Sequence, residues 1–80
     1  MNEILVVLSS LTSANRLKKY LSKMGVTVYI IQTPKAMQLS GCGYSLRAGY
    51  GDINIIFEAI NDLKVSTRGA FWASDYKKIR

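Results

Sequence analysis

Histidine is missing from the chain and cysteine occurs once, as Cys42, so several chemistries are excluded by counting. An internal disulfide, a Cys-x-x-Cys redox pair and a zinc site built from Cys and His all need residues that are not there. Proline also occurs once, and 49% of the residues are hydrophobic, a composition that describes a folded domain rather than a disordered segment. No apolar run reaches the roughly 20 residues that span a bilayer. The apolar start, from Ile4 to Leu8, follows Glu3 rather than a basic segment and runs into a serine-rich turn, unlike a secretory leader. A lone thiol fits a reducing compartment. A cytoplasmic location is therefore expected, with no membrane association, no metal and no cofactor.

Acidic residues are scarce as well. Five Asp and Glu stand against 11 Lys and Arg, giving a formal charge of +6, and such an excess favours acidic partners. The cations are dispersed, however. Lys18, Lys19 and Lys23 belong to a helix face, while Lys77, Lys78 and Arg80 close the chain. Solvated surface charge is the favoured reading over a single binding patch.

Ile4-Leu5-Val6-Val7-Leu8 is a short, branched apolar run of the kind that forms a central strand. The hydroxyls of Ser9, Ser10, Thr12 and Ser13 follow, and Thr12 or Ser13 is expected to cap a helix. In that helix Ala14, Leu17, Leu21 and Met24, with Tyr20 beside them, repeat at helical spacing. Gly25 ends it. Residues 26–31 are rich in β-branched side chains and read as a second strand, stopped by Thr33-Pro34. Tyr44, Leu46 and Ala48 alternate with Ser45 and Arg47 in a third strand. Asp52 is the expected cap of a second helix whose apolar stripe is Ile53, Ile56, Phe57, Ile60 and Leu63. Residues 68–73 form a fourth strand, and the end of the chain is a tail or frayed helix.

The order β-α-β-β-α-β with two amphipathic helices predicts an α+β, ferredoxin-like fold: a four-stranded antiparallel sheet with both helices on one face. Residues 1–74 form the domain and 75–80 a basic tail. The uncovered sheet face would need Tyr29, Phe71 or Trp72 to be shielded by a partner, a second copy or the tail.

This topology gathers the end of the first strand, the end of the second and the start of the third. Cys42, in Ser40-Gly41-Cys42-Gly43, directly precedes the third strand and is thereby expected near the start of the first helix. Unpaired N–H groups and about half a positive charge at that helix end would favour a thiolate or a bound anion. Ser10, Thr12 and Ser13 are the hydroxyls expected there. Gly41 and Gly43 leave the sulfur accessible and can aim N–H groups at an anion, and Lys35 and Arg47 are the nearest cations in sequence. In the competing reading Cys42 is a small residue filling a glycine turn.

The pieces Ile4-Leu5-Val6-Val7-Leu8-Ser9-Ser10, the strand after Gly25, Thr33-Pro34-Lys35, Ser40-Gly41-Cys42-Gly43 and Tyr44-Ser45-Leu46-Arg47 occur in that order. Together they resemble the selenium/sulfur carrier-like family of small bacterial proteins, over roughly the first two thirds of the chain. Ala36-Met37-Gln38-Leu39 is bulkier than the small polar run of that family. The resemblance implies that Cys42 accepts sulfur or selenium as a persulfide or selenosulfide. It implies donor and acceptor proteins as partners, and at most a sulfurtransferase-like carrier rather than a self-contained enzyme.

A cysteine hydrolase would need an adjacent base, which a chain without histidine does not readily supply. Two other functions remain open. One is a binding module for RNA or an acidic protein, although the aromatic RNA-recognition signature is missing and nucleic acid is not the expected partner. The other is a regulatory subunit that forms a homodimer, or docks on an enzyme, through its open sheet face.

Overall fold

The structure is a computed structural model that describes residues 2–37 and 43–80. In β1 (Glu3–Leu8) Ile4, Val6 and Leu8 point to one face and Leu5 and Val7 to the other, and all five are buried. A strand buried on both faces belongs at the centre of a sheet. There β1 lies between β3 (Tyr44–Gly49) and β4 (Thr67–Trp72), antiparallel to both, and β2 (Tyr29–Gln32) pairs with the far side of β3. The order β2-β3-β1-β4 with two helices is the expected ferredoxin-like arrangement.

Helix α1 (Leu11–Lys23) buries Ala14, Leu17 and Leu21, and α2 (Ile53–Leu63) buries Ile53, Ile56, Ala59 and Ile60. These residues share one core with Ile4, Val6, Leu8, Leu46, Ala48 and Ala70 of the sheet. At the surface the helices are tied by Tyr20, whose hydroxyl donates to Asp62 at 3.2 Å.

Several boundaries differ from the sequence expectation. Met24 lies just beyond α1 and is 44% exposed, because Gly25 turns the chain at φ +82°. Val26 bonds back to the Leu21 carbonyl, so residues 26–28 are spent on the helix exit and the ladder of β2 starts only at Tyr29. Asp52 makes no capping bond: its φ of −96° and ψ of 4° continue a short 3-10 turn, whereas a capping side chain reaches back from an extended residue. The end of the chain is neither free nor helical. Trp72 donates to the Lys77 carbonyl, Ala70 to that of Arg80 and Ile79 to that of Ala70, so residues 77–80 line the outer edge of β4. Covering an edge this way occupies N–H groups that would otherwise be open to another chain. Trp72 stacks on Tyr50, with centroids 4.9 Å apart, and packs against the helix-side core, leaving Tyr29 and Phe71 on the open face, where Tyr29 and Arg47 are exposed but Leu5, Val7 and Ser45 are buried.

Candidate functional site

Leu8 pairs with Tyr44 and Tyr44 with Gln32, so the end of β1, the start of β3 and the end of β2 share one row at one end of the sheet. Three residues beyond Leu8, α1 begins. Its N-cap is Ser10, not Thr12 or Ser13: an extended backbone (φ −148°, ψ 155°) lets its Oγ accept from the Ser13 N–H at 3.2 Å. The same hydroxyl donates to Ser13 Oγ at 3.1 Å. Thr12 lies exposed in the first turn, which carries no acidic residue, so no side-chain charge there opposes the positive end of the helix.

Residues 33 and 43 close the loop between β2 and β3. The Thr33 N–H donates to the Gly43 carbonyl at 2.9 Å, and Thr33 Oγ1 lies 2.8 Å from Ser45 Oγ in a buried hydroxyl pair. A Cβ on Gly43 would stand 3.3 Å from Thr33 Oγ1 and 3.5 Å from the Leu8 carbonyl oxygen. Gly43 is not among the described glycines with positive φ, which are Gly25 and Gly69. What glycine supplies at 43 is room beside the Thr33 hydroxyl, with the Leu8 carbonyl at ordinary contact distance.

Cys42 and Gly41 lie outside the described residues, and so do Ser40 and the two residues before it. Lys35 is exposed in a short 3-10 turn after Pro34. Arg47 lies three positions along β3 from Tyr44, on the open sheet face. Its Nε is 3.4 Å from a Glu3 carboxylate oxygen and its guanidinium is 5.9 Å from the Tyr29 ring centroid. The described part of the site thus joins Ser10, Ser13 and Gly43 to one end of the sheet, and engages Arg47 elsewhere.

Thr33, Ser45 and the Leu8 carbonyl were not singled out from sequence as parts of this neck. The available signal was the hairpin itself: strands joined by one loop must bring residues 33 and 43–45 together. Among the described residues, no group of His, Cys, Asp and Glu is placed to hold a metal ion, and no helix is long and apolar enough to cross a membrane.

A family model described as "Putative Se/S carrier protein-like" matches residues 3–71. No curated protein and no solved structure matches the chain.

Proposed function

The chain belongs to the Se/S carrier protein-like family, and from that premise we propose that it relays sulfur or selenium between proteins as an adduct on Cys42. In the loading step the Cys42 thiolate attacks the terminal sulfur of a donor persulfide. The donor S–S bond breaks, a new S–S bond forms on Cys42, and the donor leaves as a thiolate, with no net oxidation. An acceptor thiolate takes the terminal atom by the same exchange and returns Cys42 to its thiolate. Selenium follows the same path as a selenosulfide. Only a nucleophile is required, which suits a chain without histidine. A thiol carrier of this kind works in a reducing compartment, so the proposal puts the chain in the cytoplasm.

The observation that carries the reading is the anchoring of Gly43 by Thr33, against the Leu8 carbonyl and beside the start of α1. Cys42 is the next residue, and consecutive Cα atoms are only about 3.8 Å apart. The residue that follows Cys42 is thus fixed at the neck of the loop, and the uncompensated N-terminus of α1 favours an anion at this end of the sheet.

Incubation with a cysteine desulfurase and cysteine, followed by intact-mass analysis, tests the proposal. A reducible adduct of one sulfur that is lost in Cys42→Ser is expected. Absence of any adduct under conditions that load a known carrier overturns it. A second copy on the open sheet face is the other partner we propose, because Tyr29 stands there 57% exposed. Light scattering decides it.

A further inference from the structure

Helix α1 carries four cations, Arg16, Lys18, Lys19 and Lys23, and no acidic residue. All four are exposed, and among the described residues none is ion-paired. At 3.6 residues per turn they spread over two rows of the outward half of the helix, with Arg16 at its margin. Lys18 shares a row with Leu11, Asn15 and Ser22, and Arg16, Lys19 and Lys23 form the adjacent row. Asn15, Lys18, Lys19, Ser22 and Lys23 line an open groove along this face.

The arrangement works against the helix that bears it. Arg16 and Lys19 are spaced i,i+3 and Lys19 and Lys23 i,i+4, separations at which like charges repel across a turn. Lys23 is offset by the negative end of the helix, but Arg16 and Lys19 have no such compensation, and local conflict of this kind points to a surface shaped by something outside the fold. At the N-terminal end of the face Leu11, in the Lys18 row, is apolar and 43% exposed. Tyr20, the one aromatic of α1, turns toward α2 to meet Asp62 and is not offered for stacking. Single-stranded nucleic acid is held by a basic groove together with stacking aromatics. A cationic strip with an exposed leucine at one end and no aromatic on it fits an acidic protein surface that also presents apolar groups.

We infer that the outer face of α1, with Lys18, Lys19 and Lys23 at its centre and Leu11 at its N-terminal end, is the docking surface for an acidic protein partner. The helix is about 20 Å long and starts at the Ser10 end of the site. A partner lying along it brings its own reactive group to that end. This last point rests on the carrier reading, whereas the docking surface is testable without it.

Two defined probes are titrated into the 15N-labelled protein at low salt: a 16-residue Glu-rich peptide containing two leucines, and a 16-nucleotide single-stranded RNA. The peptide is expected to shift the amides of residues 11–24. Its affinity should fall at least about tenfold in K18E/K19E/K23E and with rising salt. Leu11→Ser is expected to weaken the peptide and leave the RNA unaffected. Circular dichroism checks the fold of each variant. Peptide shifts confined to other elements, equal affinity in the charge-reversed variant, or tighter binding of the RNA on α1 overturns the inference.

A second arm separates it from the carrier reading. Loading of Cys42 by a desulfurase should slow at least about tenfold in K18E/K19E/K23E, while loading by inorganic polysulfide stays unchanged. If wild-type loading is insensitive to these charges, docking on α1 is overturned and the carrier stands. If neither donor loads Cys42, the carrier reading fails and the peptide titration alone decides the docking surface.

Discussion

Thr33 Oγ1 and Ser45 Oγ lie 2.8 Å apart inside the protein, at the neck of the loop that carries Cys42. Ser45 is fully buried, so its hydroxyl has no water to fall back on. Thr33→Val keeps the shape and removes that partner, which is expected to cost about 1–3 kcal/mol. Thr33→Ser should retain most of the stability, and Thr33→Val with Ser45→Ala should recover part of the loss. Urea denaturation of the set measures this. A Thr33→Val variant as stable as the parent would show that the pair contributes nothing.

Gly43 is the second element of the neck. An alanine there presses its Cβ on Thr33 Oγ1, which must give by a few tenths of an ångström, while the Leu8 carbonyl stays at ordinary contact distance. We expect Gly43→Ala to lose about 1–3 kcal/mol and to change the rate at which Cys42 is alkylated. Gly49→Ala is the control. No atom lies within 4 Å of its Cβ position and φ is −77°, so stability should be unchanged or raised by up to about 1 kcal/mol.

The Tyr20 hydroxyl donates to Asp62, and this bond, followed by the charge of the same carboxylate, raises the tyrosine above its ordinary pKa. The folded state thus favours the neutral phenol. Its contribution to stability is complete below the ordinary tyrosine pKa of about 10 and is lost as pH rises through the higher folded value. Asp62→Asn is expected to move one tyrosine transition of the ultraviolet titration downward. Tyr20→Phe should remove that same transition. If Asp62→Asn leaves the titration unchanged, the hydrogen bond is not the cause.

Much of this was legible in the sequence, because β1 is an unbroken branched apolar run, the helical periods of α1 and α2 are clean, and Gly25 and Pro34 are unambiguous stops. The topology followed from element order, and with it the meeting of Leu8, Gln32 and Tyr44. The cap of α1 was misjudged because four hydroxyls in a row offer the same chemistry, and only the extended backbone at residue 10 selects Ser10. Asp52 misled for the opposite reason: its side chain suits a cap but its backbone does not. Pairing of residues 77–80 with β4 leaves no periodic trace, since it rests on a few main-chain bonds rather than on an apolar pattern.

Those bonds also explain Gly69. Its φ of +117° lies outside what side-chain-bearing residues adopt, and the place of its Cβ is taken by the carbonyl group of Arg80, which cannot swing aside because Ala70 donates to it. Gly69→Ala thus meets two separate penalties, backbone strain of about 1–3 kcal/mol and displacement of residues 77–80 from the edge of β4. Deleting 77–80 removes the second penalty and leaves the first. It also removes the Arg80 guanidinium from the Phe57 ring, 5.1 Å away, and from Asn54 Oδ1. The two changes share partners, so their effects on stability should fall short of additive. In the deletion the amides of Ala70 and Trp72, which bond to Arg80 and Lys77, should exchange with solvent far faster than in the parent. Strict additivity, together with unchanged exchange at Ala70 and Trp72, would mean that the chain end does not hold the edge of β4.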